Sequence, residues 1–390
     1  MKLNDSEFNQ WLISVRQDLH RHPEIAFEES ATCDRIASIL QELGIEVQRF
    51  DDMTGIVGLL RGTTQGPTMA LRSDIDALPI QELNDVPYKS VHDGKMHACG
   101  HEATASILLG TARHLVHSGL AHKLKGNIKF IFQPAEERGA GAKAMIARGV
   151  LDNPHVDRII AAHMDPNLKV GQAGHFHSLG YASADRFSIE IIGKGGHGAR
   201  PEACIDPIVA GAHLVAQLQT IISRNLPPAQ AGVVTVGKFT AGDVANVIPE
   251  TAHLLGSIRA LTEITRELIF QRIHELCNGI EQGFQVSCHL KISEGIPCLT
   301  NDTKVAAFLH DASADILGAE NVRYLDPIMG SEDFSYFTEA CPGAIMRLGC
   351  ANAAKGLVYP LHSPHFDIDE SVLLMGVKVF THAIQQYLTV

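Results

Sequence analysis

The chain has 390 residues, with 32 Lys plus Arg against 44 Asp plus Glu and a formal charge of −12. That length exceeds what one hydrophobic core usually organises, so two domains are expected, and the acidic balance speaks against nucleic acid or an anionic membrane surface as partner. A hydrophobic content of 45% with 6% aromatic residues fits a globular α/β protein, and no apolar run approaches the ~20 residues that span a bilayer.

The N-terminal stretch, with Asp5 and Glu7, lacks the basic start and apolar run of a signal peptide, so cytoplasmic residence is the expectation. Trp11, Leu12, Val15 and Leu19 recur at helical spacing and predict a helix over 8–19; a second covers 31–43 and stops at Gly44. Strands are expected at 45–50, 55–61 and 68–72. The third runs into Ser73-Asp74-Ile75-Asp76, which puts two carboxylates just past a strand's C-terminal end, where open α/β sheets bind ligands. In Met96-His97-Ala98-Cys99-Gly100-His101-Glu102, the glycine lets a thiol and an imidazole turn toward one point before a helix over about 104–117. Such a pair suits a metal, but borderline-soft metals take four or five ligands, so the remaining donors must come from elsewhere.

The strand-end arrangement recurs. A strand over 127–133 leads to Glu136-Glu137, a helix over 141–148 follows, and a strand over 157–162 ends at His163. After Gly180 the order becomes strand 184–192, helix 203–223, strands 233–239 and 251–261, helix 263–283 and strand 286–294. This β-α-β-β-α-β succession matches a ferredoxin-like α+β unit. From about residue 297 the α/β pattern resumes through a helix over 304–317, a strand over 344–349 and a final helix over 370–388, with His362 just before that helix. The expected organisation is a discontinuous catalytic domain, 1–182 and 296–390, with a mixed sheet flanked by helices, and an inserted domain over 183–295. The eight cysteines are scattered without the spacing of a disulfide scaffold and read mostly as buried apolar residues.

Eight segments occur together in order: Asp18-Leu19-His20-Arg21-His22-Pro23-Glu24, Arg72-Ser73-Asp74-Ile75-Asp76-Ala77-Leu78-Pro79, His97-Ala98-Cys99-Gly100-His101, Pro134-Ala135-Glu136-Glu137, Gly195-Gly196-His197-Gly198-Ala199, Asn246-Val247-Ile248-Pro249, Gly330-Ser331-Glu332-Asp333-Phe334 and His362-Ser363-Pro364. With them the chain resembles the amidohydrolase branch of the aminoacylase and carboxypeptidase G metallopeptidase family, which includes hippurate hydrolases and indole-acetyl-amino-acid hydrolases. The resemblance implies two divalent metal ions, zinc or manganese with cobalt or nickel as alternatives. It implies Cys99, His101, Glu137, His163 and His362 as metal ligands, Glu136 as general base and Asp76 as a supporting acid. In the insert it implies His197 on the developing oxyanion and Asn246 and Arg259 on the substrate's carboxylate, with the insert serving as lid and homodimer interface. Glu102, Thr104 and Glu202 stand where this branch usually has Asp, His and His.

The reaction so implied is hydrolysis of the amide bond of a small N-acyl amino acid or related amide. Water is a poor nucleophile and an amine a poor leaving group, which is why a metal and a proton-transferring carboxylate are needed together. The alternatives are a dipeptidase or carboxypeptidase using the same residues, and a non-catalytic metal-dependent binding protein, against which Glu136 counts.

Overall fold

In the computed structural model, which describes residues 6–389, the chain divides into two compact units; the first five positions of the acidic N-terminal stretch lie outside the described residues. One unit runs through Ser178 and takes in Thr300–Asp326 and the chain from Tyr336 onward; the other comprises Leu179–Leu299 and Pro327–Ser335. No helix among the described residues is long and apolar enough to cross a membrane.

The first unit is built on an eight-stranded mixed sheet in the order Glu46–Arg49, Ile56–Arg61, Lys125–Gln133, Thr64–Asp74, Arg158–Lys169, Gly343–Ala351, Ala173–His175 and Val322–Tyr324. Its centre is parallel: Thr64–Asp74 lies between Lys125–Gln133 and Arg158–Lys169, and Gly343–Ala351 continues in the same sense. Central strands of such a sheet are covered on both faces and read as apolar runs, as Ile128, Phe130, Ile131 and Phe132 do, all fully buried. The helix His101–His117 is buried almost all round from His101 to Leu115. It packs against Ser371–Leu388 and the first helix, Ser6–Arg21. Gly110 permits that approach, since a Cβ there would stand 2.8 Å from both Leu12 and Val377 side chains.

Three sequence expectations shift. The strand expected to stop at residue 162 continues to Lys169, because Gly343–Ala351 pairs along it past His163, Arg347 lying opposite His163. Pairing with Thr64–Asp74 ends at Arg72 opposite Ala161, so at His163 the sheet is open on that side. The strands Ala173–His175 and Val322–Tyr324 are too short to leave an alternation in the sequence. In the second unit the helix begins at Pro207 rather than 203, because the Asp206 carboxylate accepts from the Ile208 and Val209 amides and fixes the start there.

The second unit is ferredoxin-like. Its antiparallel sheet has the order Gly232–Ala241, Thr251–Ala260, Ala184–Ile192, Ser287–Ile296. The helices Pro207–Thr220 and Glu263–Phe284 supply Leu214, Leu218, Ile269 and Ile273, which pack with Ile189, Ile191 and Leu254 from the sheet. Along Ala184–Ile192 the alternation buries Phe187, Ile189 and Ile191 against the helices and leaves Arg186, Ser188 and Glu190 on the open face.

Candidate metal centre

The strand ends of the first unit bring its acids together. Asp74 closes its strand opposite Gln133, so Asp76 and the Glu136-Glu137 pair emerge side by side. Two left-handed backbone positions then aim the side chains. Gly100, with φ +86°, separates Cys99 from His101; Ala135, with φ +54°, turns the chain sharply after Pro134, and its amide donates to the buried Glu29 carboxylate at 2.9 Å. His362 also has positive φ, +65°, and its N–H donates to the Ala98 carbonyl at 2.8 Å. Left-handed backbone at non-glycine residues is costly and concentrates at functional sites.

The donor atoms form overlapping groups, each within 4.8 Å: Cys99, His101 and His163; Cys99, Glu137 and His362; and Asp74, His101 and Glu136. Cys99 Sγ is 3.4 Å from His163 Nε2, and Glu137 Oε1 is 3.4 Å from His362 Nε2. A tetrahedral centre with metal–ligand bonds of about 2.1 Å has ligand-to-ligand edges of roughly 3.4 Å. The spacing therefore suits donors around a cation.

The ring orientations agree with that use. His101 Nδ1 donates to the Asp76 carbonyl at 2.9 Å, with the Asp76 carboxylate 3.3 Å away, so Nε2 is the nitrogen that points into the cluster. Nε2 itself makes no hydrogen bond; Asp74 Oδ2 lies 3.4 Å and Glu136 Oε2 4.0 Å from it. His163 Nδ1 donates to the Met164 carbonyl at 2.7 Å, which turns Nε2 toward Cys99. The Asp76 carboxylate accepts the Glu137 amide at 3.0 Å, so Asp76 braces residues from two of the groups, His101 through its carbonyl and Glu137 through its side chain.

Electrostatically the cluster is short of positive charge. Burial opposes a proton on His101, yet Asp74 and Cys99 outweigh it and hold its pKa well above the ordinary value. Burial also opposes the ionised form of Asp74, but His101 and Arg72 keep its carboxyl at about 2. Burial, with Arg347 next to it, pushes His163 down to about 3, leaving the neutral imidazole a metal requires. Burial pushes the Cys99 thiol well up, so its thiolate needs a cation beside it. Burial works against the Glu137 carboxylate, and its contact with His362 reverses that to a lowered pKa. An orphaned ring nitrogen, neutral and acidic donors at ligand spacing and an excess of negative charge fit divalent cations.

Two neighbours were not singled out in the sequence. Arg347 stands 3.2 Å from His163 Nδ1 and donates to Asp165 at 3.2 Å; its only sequence signal is an arginine inside an otherwise apolar strand. Arg16, fully buried, joins Glu102 at 3.0 Å and Asp367 at 2.7 Å; its signal is its place on the apolar face of the first helix, one turn after Leu12. Glu102 in turn contacts His20, which also reaches Glu82. Thr104 donates to Asp74 at 3.1 Å.

His197, Asn246 and Arg259 belong to the second unit. His197 lies opposite Val247 in a two-residue ladder, and the Asn246 carbonyl accepts the Gly198 amide at 2.9 Å, so His197 and Asn246 are local neighbours. Arg259 lies opposite Val233, and its Nη1 is buried without a hydrogen bond.

The pattern of Peptidase family M20/M25/M40 matches residues 70–386. The chain is 37% identical over 374 residues to an N-acetyl-L-cysteine deacetylase of Bacillus subtilis strain 168, covering 95% of this chain and 87% of that protein. It is 35% identical over 389 residues to the IAA-amino acid hydrolase ILR1-like 4 of Arabidopsis thaliana, covering 98% and 87%. A solved structure from Bacillus subtilis, described as a dinuclear metal binding peptidase from the M20 family, superposes with a TM-score of 0.85 at 33% identity, covering 97% of this chain and 98% of that one. The chain belongs to Peptidase family M20/M25/M40 and is a metal-dependent hydrolase of amide bonds.

Proposed function

We propose that the protein releases the acyl group from a small N-acyl amino acid, with two divalent ions, zinc or manganese, held by Cys99, His101, Glu137, His163 and His362. The observation that carries this reading is that Cys99 belongs to two of the three-donor groups, one with His101 and His163 and the other with Glu137 and His362. A thiol common to two donor groups would let Cys99 help hold either ion. When bound, the ions supply Lewis acidity toward the amide carbonyl and a lowered pKa for water.

The chain's own residues carry the proton work. Glu136, next to ligand Glu137 and nearly buried, takes the proton of the attacking water and delivers it to the leaving nitrogen. Asp76 fixes the His101 ring through its carbonyl and carboxylate. His197 stabilises the developing oxyanion, and Asn246 and Arg259 take the substrate's carboxylate. The unpaired Nη1 of Arg259 supports that role, since a guanidinium matches a carboxylate in geometry and charge. Residues 183–295 serve as the lid and as the contact of a homodimer, a reading supported by the two edge strands, Gly232–Ala241 and Ser287–Ile296.

The relatives' names support the acyl-amino-acid reading, since one is a deacetylase of an N-acetyl amino acid and another a hydrolase of amino-acid conjugates. The description of the solved structure as a peptidase favours a second reading, cleavage of a dipeptide with a free carboxylate. Assaying the metal-loaded protein on N-acetyl and N-aroyl amino acids beside dipeptides separates them. Turnover confined to the acylated series is expected, and turnover confined to the dipeptides overturns the first reading in favour of the second.

A further inference from the structure

A fully buried carboxylate outside the donor cluster is tied to the turn that carries the base. Glu29 lies immediately before the helix Ser30–Glu42, yet its side chain makes no cap hydrogen bond to that helix. Glu24 does that work instead, accepting the Ala31 and Thr32 amides at 3.2 and 2.7 Å. The Glu29 carboxylate therefore reaches away from its own helix. Its Oε1 accepts the Ala135 amide at 2.9 Å and its Oε2 the Thr54 hydroxyl at 2.5 Å.

Both ends of this bridge are fixed against the strand-end loops. The Glu24 carbonyl accepts the amide of Ala77, next to Asp76, at 2.8 Å. Gly55, which follows Thr54, approaches so closely that a Cβ there would stand 3.0 Å from Pro134 Cδ. Ala135 itself has φ +54°, a conformation that a residue with a Cβ keeps only where its surroundings impose it. The amide of Glu137 has its own acceptor in the Asp76 carboxylate. The amide on the other side of Glu136, that of Ala135, is held by Glu29. Burial raises the Glu29 carboxyl above its ordinary value, and the Thr54 hydroxyl works against that rise. An acid buried at such cost needs partners that repay it, and the turn supplies one of them.

We propose that Glu29 is a positioning residue for the reaction: through the Ala135 amide it holds the left-handed turn that aims Glu136, without touching substrate or metal. This inference rests on the reading of Glu136 as the base. Without an acceptor at Glu29, the Ala135 turn relaxes and the base shifts. Glu137 stays anchored by Asp76 and His362, so loss of the bridge lowers kcat while metal and substrate are still bound.

The test compares Glu29→Met with Glu29→Gln in the metal-loaded full chain, assayed on the amide substrate that the parent turns over. Both replacements are uncharged and close to Glu in size, but only Gln offers an oxygen to the Ala135 amide. E29M is expected to lower kcat by about 10- to 100-fold, with both ions retained and KM within about threefold of the parent. E29Q is expected to keep kcat within about threefold of the parent, since the accepted hydrogen bond survives. T54V, which releases the other carboxylate oxygen, is expected to lower kcat about threefold or more and carries the test if E29M does not fold. Added to E136Q, E29M or T54V is expected to lower kcat by less than about twofold further, because the base it positions is already gone. Full kcat in E29M or in T54V, equal losses in E29M and E29Q, loss of metal from E29M, or losses that multiply with that of E136Q overturn the proposal. Full turnover by E136Q alone overturns the base assignment beneath it, so the two failures are read from different variants.

Discussion

The N–H of His362 donates to the carbonyl of Ala98 at 2.8 Å. Residues far apart in the chain are thereby fixed with their functional neighbours face to face, since Ala98 precedes Cys99 and His362 contacts Glu137. Because Cys99 is common to the groups that hold His101 with His163 and Glu137 with His362, Cys99→Ala is expected to weaken retention of both ions together, by about 10-fold or more. Elemental analysis after gel filtration checks this. A variant that keeps one full equivalent while losing the other contradicts a shared thiolate.

Gly100 is where the backbone does most to shape the cluster. A Cβ at this position, φ +86°, would stand 2.7 Å from Met164 Cγ and 3.0 Å from Met164 Cβ. Gly100→Ala therefore combines left-handed strain with a clash beside His163. A loss of at least about 1–2 kcal/mol in denaturant unfolding is expected, together with reduced metal content. Unchanged metal content at unchanged stability would show that this turn does not set the donor geometry.

Arg16 is fully buried among Glu102, Asp367 and Glu370, at 3.0, 2.7 and 3.4 Å. Glu102 directly follows His101, and Asp367 lies in the segment that carries His362. Arg16→Met keeps much of the volume but leaves the buried carboxylates without their cation. Such half-removed pairs cost about 3–5 kcal/mol, to be read as a lowered urea midpoint with unchanged slope. A midpoint within error of the parent would mean that Arg16 is not what offsets these charges.

His20 gives a pH dependence. Burial and Arg16 oppose its protonation, but its contacts with Glu102 and Glu82 outweigh them and raise its pKa above 6.5. Burial opposes the Glu82 carboxylate, and His20 turns that into a pKa below 4.5. A raised histidine pKa gives stability that is complete below 6.5 and lost as pH rises through the folded value. A lowered carboxyl pKa gives stability that is complete above 4.5 and lost as pH falls through the folded value. The pair therefore contributes most between these limits. His20→Gln is expected to cost about 1–3 kcal/mol at pH 6 and clearly less at pH 9, from urea unfolding of both proteins at each pH. An equal cost at both pH values would remove the charge from the explanation.

Much of this architecture is legible in the sequence because the strands are apolar and end abruptly in acids or histidine. The paired glutamates after Gln133 and the Asp-Ile-Asp run after Ser73 mark a sheet edge without any structure. What stays hidden has physical reasons. Ala173–His175 and Val322–Tyr324 are too short to show a period. The extension of a strand through His163 depends on pairing with Gly343–Ala351, which is far away in the chain. That Cys99 serves two donor groups follows only from three-dimensional placement. Arg16 was readable in principle: Phe8, Leu12, Arg16, Leu19 and His20 share the buried face of one helix, and a charge on that face requires a buried partner.

The most direct test of the account is turnover of an N-acyl amino acid by Glu136→Gln with metal content measured on the same sample. The account predicts both ions retained and the turnover number reduced by at least about 100-fold, since the amide can neither take the water's proton nor return it. Full turnover with both ions bound would contradict Glu136 as the base and, with it, the proposed mechanism.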